Sequence, residues 1–169
     1  MKAIGVIVAV AAALALQTTA ARFLVRGSFA VDLVLVVVVY VALTSGPATG
    51  LMSGAFAGLV QDALSSSIIG IGGLAKTLVG FLAGIIGTQF IVTASLPRFV
   101  VFFAATVLHA VVFMGLYVLL DRRHFGEPYA AVAAQATANA VIGVVAFQLV
   151  ELLPGAVERR RAGRSRLRR

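Results

Sequence analysis

The chain has 169 residues, of which 61% are hydrophobic and 12% are charged, and its mean hydropathy is +1.07. Soluble domains are roughly 45–50% apolar and about 25% charged, so this composition excludes a water-soluble globule, whose surface needs more polar cover. Seven arginines lie within the last eleven residues and supply most of the net charge of +8. The charge therefore indicates a basic tail and excludes a nucleic-acid-binding face. The absence of cysteine excludes disulfides and thiolate metal sites.

Continuous apolar runs predict membrane-spanning helices, because the strands of a membrane barrel would alternate apolar and polar residues. The predicted spans cover residues 3–21, 29–45, 48–64, 74–92, 99–120 and 129–153. Their connections are short, so helices adjacent in sequence should pack antiparallel. We predict an all-α membrane protein, with a six-helix transmembrane domain over residues 1–156 and an Arg-rich cytoplasmic tail over residues 157–169.

The first apolar run admits a second interpretation, as a signal peptide with Thr19-Ala20-Ala21 near its cleavage site. Only Lys2 precedes this run, whereas a signal peptide begins with a positively charged region, so a retained helix is favoured.

Gly46-Pro47 interrupts the next apolar stretch and predicts a tight turn, because a residue before proline is driven out of the helical region. The alternative is one fused helix from Leu33 to Gln61, which would give five spans. That helix would run for 29 residues with the Gly-Pro pair inside the membrane, where about 20 residues suffice. The six-span arrangement is therefore favoured.

Small residues recur every four positions in the third and fourth predicted helices, which keeps them on one slowly turning face. The first row is Gly46, Gly50, Gly54 and Gly58, followed by Asp62; the second is Gly72, Lys76, Gly80, Gly84 and Thr88. In lipid such rows let helix backbones approach closely. They indicate either packing of these two helices against each other or a face that receives a partner protein's helix.

Asp62 and Lys76 flank the polar stretch that joins these two helices. Charges inside a membrane are costly and usually pair or reach the interface. Three interpretations stay open: both side chains snorkel to the outer interface, they form an ion pair that pins the loop, or they belong to an ion relay. Asp32, near the outer end of the second helix, is interpreted as an interfacial acid or helix cap, with a contact in the loop layer as the alternative.

Three further polar residues lie within apolar helices. His109 is predicted to form an interhelical hydrogen bond, with metal ligation as the lesser alternative. Gln135 and Asn139 are four residues apart and face the same way, so they should pack between helices or, alternatively, line a small polar pocket with His109.

The basic tail predicts the orientation, because positively charged residues stay on the cytoplasmic side. Six spans then place both termini in the cytoplasm, although four arginines fall on the outer side: Arg22, Arg26, Arg122 and Arg123. The tail can also bind anionic lipid headgroups, and the candidate residues are Arg159, Arg160, Arg161 and Arg164. The sequence holds no Ser-His-Asp arrangement, H-E-x-x-H or P-loop motif, so we predict no enzyme activity, metal or cofactor.

A longer pattern lies within residues 30–90. It begins with Val31-Asp32-Leu33, Tyr40, Ala42, Gly46-Pro47 and Gly50, followed by Gly54-Ala55-Phe56-Ala57-Gly58-Leu59-Val60-Gln61-Asp62. It continues through Ser65-Ser66, Gly70 and the glycine-containing stretch 72–84. This pattern resembles the rod shape-determining protein MreD family, and the stretch 54–62 resembles the signature of that family. The positions carried over as signature residues are Gly54, Gly58, Asp62, Gly80 and Gly84.

This resemblance implies a non-enzymatic scaffold or regulator of the bacterial cell-elongation machinery in the inner membrane. Its implied partners are the single-span protein MreC, the peptidoglycan synthase pair RodA and penicillin-binding protein 2, and MreB on the cytoplasmic side. The family is also similar in fold to the six-helix S-components of energy-coupling-factor vitamin transporters. The alternative function is therefore a small-molecule binding transport subunit, which the short outer loops and scarce polar residues disfavour.

Overall fold

The computed structural model describes residues 3–23, 31–65, 68–90, 94–120 and 129–166, and the side chains within residues 4–19, 31–65, 68–90, 94–120 and 129–152. This part of the chain forms six helices and no strand. They are α1 (Ala3–Phe23), α2 (Leu33–Ser45), α3 (Pro47–Leu64), α4 (Ile71–Gln89), α5 (Ser95–Leu119) and α6 (Tyr129–Arg166). The predicted all-helical fold of six helices is confirmed.

Several helix ends differ from the predicted ones. α2 begins only at Leu33, and α4 and α5 begin three and four residues earlier than predicted, at Ile71 and Ser95. α6 continues as helix to Arg166, across the predicted start of the tail at residue 157. Among the described residues, α4, α5 and the Tyr129–Leu152 part of α6 are long and apolar enough to cross a membrane. The apolar stretches Ile4–Thr19 and Leu33–Ser45 are shorter.

α2 and α3 form a helical hairpin around Gly46-Pro47. Gly46 has φ +87°, a left-handed conformation that favours glycine, and Pro47 occupies the first position of α3, where its missing N–H costs nothing. A Cβ built on Gly50 of α3 would lie 2.7 Å from Cβ of Ala42 in α2, so the chain reverses direction here. The alternative of one fused helix is wrong.

α4 runs antiparallel to α3 and parallel to α2. Pro47 of α3 lies beside Gly84 and Gly58 beside Gly73, so the order reverses along the two helices. α2 instead places Leu43 beside Gly87 at one end and Asp32 beside Lys76 at the other. Within the described residues, the α3–α4 contact is the most extensive between any two helices.

The apolar interior has two parts. One lies among α2, α4, α5 and α6 and contains Leu35, Val39, Val79, Phe102 and Phe147. The other joins α1 to α2 and α3 and contains Val10, Ala13, Val34, Val38 and Ala57. Many large apolar side chains point outward, among them Met52, Phe56, Leu74, Val111 and Leu149, as expected of a surface that faces lipid.

Candidate functional site

A layer of buried polar side chains crosses the interior of the bundle and joins four helices. α2 contributes Asp32, α4 Lys76, α5 Thr106 and His109, and α6 Asn139. Asp32, Lys76, Thr106 and Asn139 are each at most 5% exposed. Buried polar groups are stable only when they are hydrogen-bonded, and in this layer each of the five has a partner.

Lys76 lies at the centre of the layer. Its Nζ donates to Asp32 Oδ2 across 2.7 Å and lies 3.2 Å from His109 Nε2. The side chains of Lys76 and Asp32 are 3% and 7% exposed, so the pair is enclosed by the surrounding helices. Charges within a membrane segment face the protein interior and pair with each other, and this ion pair satisfies both conditions.

Asp32 links the ion pair to two further helices. It is the N-cap of α2, because its Oδ1 accepts from the backbone N–H of Leu35 at 2.9 Å. Its own backbone N–H donates to Asn139 Oδ1 at 3.1 Å. Asn139 Nδ2 in turn donates to Thr106 Oγ1 at 3.2 Å. Asp32 thus caps α2 and neutralises Lys76 with its carboxylate, and it binds α6 through its backbone N–H.

His109 places this layer well inside α5. It lies ten residues before the end of that helix at Leu119, about 15 Å at 1.5 Å per residue. Its ring stacks on Phe113 with centroids 5.7 Å apart, and Phe113 contacts Tyr117 one turn further on. The Tyr117 hydroxyl accepts from the backbone N–H of Ile68 at 3.4 Å. One face of α5 therefore runs from the ion pair to the loop that precedes α4.

The glycines of both predicted rows lie between α3 and α4. A Cβ on Gly54 would lie 2.2 Å from the carbonyl oxygen of Lys76, and one on Gly58 would lie 2.5 Å from the Cα of Gly73. The same short approach joins Gly50 to Gly80 and Gly84 to Pro47. No side chain fits in these places, so the rows bring two backbones into direct contact.

Asp62 binds backbone groups at the start of α4. Its Oδ2 accepts from the N–H groups of Gly70 at 2.9 Å and Gly73 at 3.1 Å, and a Cβ on Gly72 would collide with Oδ1. The predicted Asp62–Lys76 ion pair is wrong, because Lys76 pairs with Asp32. Snorkelling is wrong as well, since Asp62 is 5% and Lys76 3% exposed. The acid instead satisfies donors that a helix start leaves free.

Sequence reasoning also missed a second charged contact. Arg98, just outside the predicted span of residues 99–120, lies in the first turn of α5 and is buried. Its guanidinium forms a bidentate ion pair with Glu151 of α6, with one bond of 3.0 Å, and stacks 4.3 Å above the Phe147 ring. Pro97 was the available signal, because proline is tolerated in the first turn of a helix.

The remaining predicted site residues are placed as follows. Asn139 and His109 belong to the same network, whereas Gln135, one turn earlier on α6, is half-buried. Gly46 forms the α2–α3 turn. Arg159, Arg160, Arg161 and Arg164 lie outside the described side chains. No group of three or more His, Asp or Glu side chains within the described residues is arranged to hold a metal ion.

The comparisons with known proteins gave one match. The family model of the rod shape-determining protein MreD matches residues 2–154, which includes all the described helices except the last part of α6. No curated protein and no solved structure matches the chain.

Proposed function

The chain belongs to the rod shape-determining protein MreD family, a family of membrane proteins that acts in rod shape determination. From this premise we propose that it is a non-enzymatic scaffold of the cell-elongation machinery in the bacterial inner membrane. It binds the single-span protein MreC and through it supports the peptidoglycan synthase pair RodA and penicillin-binding protein 2. MreB is a further partner on the cytoplasmic side, and anionic lipids bind the basic tail.

The family match over residues 2–154 carries this proposal, and the structure supports a scaffold in one respect. The buried charged and polar groups bind one another, as the Lys76–Asp32 and Asn139–Thr106 contacts show. A catalytic site needs at least one reactive group directed at a substrate. In the described interior these polar groups instead hold helices together.

The partner would bind an outward apolar face, because the glycine rows are filled by contacts between α3 and α4. The outer sides of these two helices expose Met52, Phe56, Leu74 and Leu78. A single membrane helix binds such a surface through close side-chain packing. Partner binding is therefore assigned to side chains next to the glycine rows, and the glycines themselves support that surface from behind.

Affinity purification in mild detergent tests the proposal. The tagged chain is expected to retain MreC, with RodA and penicillin-binding protein 2 recovered alongside it. Phe56→Ala should weaken MreC recovery, whereas Val111→Ala, on the outer side of α5, serves as a control at an apolar position that is at least as exposed. Purification without MreC but with a bound vitamin-type molecule would support the alternative of a small-molecule transport subunit.

A further inference from the structure

The position of Lys76 determines which protonation state of His109 the structure contains. An ammonium group carries three N–H donors and no lone pair, so it cannot accept a hydrogen bond. His109 Nε2, 3.2 Å from Lys76 Nζ, must therefore be the acceptor. An imidazole that accepts at Nε2 is neutral and carries its proton on Nδ1.

The charged groups around His109 already neutralise each other, so an additional charge there would have no partner of opposite sign. α2 presents Asp32 and α4 presents Lys76, so the layer holds one negative and one positive group. α6 contributes Asn139, which is uncharged, and on α5 itself the nearest titratable side chain is Tyr117, beyond Phe113. A proton on His109 would leave two cations facing one carboxylate in a dry interior.

We propose that His109 is a proton-binding site and that its hydrogen bond with Lys76 is a proton-dependent latch between α4 and α5. A proton from water that binds Nε2 uses the lone pair and sets an N–H group against the Lys76 ammonium. The hydrogen bond then breaks. Lys76 stays with Asp32, to which it is bound at 2.7 Å, so the contact that opens is the one with α5.

The same contacts determine which parts separate. α5 is joined to α6 by the Arg98–Glu151 ion pair and the Asn139–Thr106 hydrogen bond. α2, α3 and α4 are held together by the Asp32–Lys76 pair and the backbone contacts of the glycine rows. Proton uptake therefore loosens α5 from α4, while the bond from the Asp32 backbone N–H to Asn139 still joins α2 to α6, and this inference does not depend on any partner protein.

The tautomer of His109 is the first test. The chain contains two histidines, so His124→Gln leaves His109 as its single imidazole. In nitrogen-15 NMR of this variant in bilayers at pH 8, Nδ1 is expected to carry the proton and Nε2 to have none. A proton on Nε2, or a doubly protonated ring at that pH, overturns the proposal.

The opening of the contact is the second test, and the cysteine-free chain suits it. Val79 is 1% exposed and packs in the same cluster as Phe102 of α5, so Val79→Cys should react with a maleimide only when α5 separates. Its labelling rate is compared with that of the same cysteine in a His109→Gln background, because glutamine accepts from Lys76 without titrating. The ratio at each pH cancels the pH dependence of the thiol itself.

Opening linked to one proton raises this ratio by up to tenfold for each pH unit of acidification. We expect a rise between pH 8 and pH 5 at position 79, and none for Val10→Cys, which lies in the other core cluster and is equally buried. A ratio that stays constant at position 79 overturns the latch. An equal rise at both positions also overturns it, since that result means general loosening.

Discussion

The backbone carbonyl of Lys76 lies directly against Gly54, so that a Cβ on Gly54 would stand 2.2 Å from that oxygen. The side chain of the same lysine binds Asp32, the N-cap of α2. Lys76 therefore takes part in both features: its backbone contacts the glycine row, and its side chain forms the buried ion pair. A shift of α4 away from α3 would also move the ammonium group within the polar layer.

The Gly54→Ala variant is predicted to be destabilised by about 1–3 kcal/mol or more, because backbone must move to admit the methyl group. Thermal unfolding in detergent measures the loss. Gly115→Ala on α5 is the matched control, since nothing lies within 4 Å of its Cβ position. There the change should be neutral or stabilising by up to about 1 kcal/mol, because alanine favours helix over glycine. Equal effects at the two positions would contradict the close-contact argument.

The Asp32–Lys76 pair is predicted to be energetically coupled. Asp32→Ala and Lys76→Ala should each cost about 3–5 kcal/mol, because each strands the other charge in the interior. The double variant should cost less than the sum of the two. Unfolding of the single and double variants in detergent gives the coupling energy.

An equivalent cycle for Asp62 and Lys76 provides the comparison. The two side chains bind different partners, so their effects should add within about 0.5 kcal/mol. Strong coupling between Asp62 and Lys76, with none between Asp32 and Lys76, would show that the pairing differs from the one described here.

The features that were predictable from sequence are those that depend on local spacing. Gly46-Pro47 identified the α2–α3 turn, and the four-residue repeat identified the faces on which α3 and α4 meet. The pairing of Lys76 was missed because its partner is 44 residues away, and no local pattern shows that α2 and α4 run parallel. Asp62, at the other end of the same loop, was the nearer choice along the chain.

The burial of polar groups was also underestimated for a physical reason. Asp32, Lys76, His109 and Asn139 lie in four separate apolar segments. Lys76 was interpreted with Asp62, and Asn139 with Gln135, because these are the nearest charged residue and the nearest amide along the chain. A polar residue inside a membrane helix needs a partner, so four such residues in different helices are expected to bind one another. That signal was present in the sequence. The register between the helices, which determines which side chains are in contact, was not.

Asp62 is predicted to stabilise the start of α4 through its two backbone contacts. Asp62→Ala should cost about 0.5–2 kcal/mol, the range of a lost helix cap. Asp62→Asn should cost less, because the amide oxygen still accepts from Gly70 or Gly73. Unfolding measurements on the two variants test this order. A larger loss for Asn than for Ala would mean that Asp62 acts through its charge and not as a hydrogen-bond acceptor.

The membrane topology provides the last prediction. We expect both termini in the cytoplasm, because the arginines of the tail favour that side and six helices return the chain to the side where it began. Single cysteines at Ala3 and Ser165 should react with an impermeant maleimide only after the membrane is opened, while a cysteine at His124 should react in intact cells.

Ala48, exposed beside the α2–α3 turn, adds a sharper test. α2 has 13 residues, about 20 Å of helix, against a hydrocarbon core of about 30 Å. If the hairpin reaches the cytoplasmic face, position 48 should label together with position 165. If position 48 stays unreactive after permeabilisation, the hairpin ends inside the membrane, and labelling of position 3 from outside would contradict the six-span arrangement altogether.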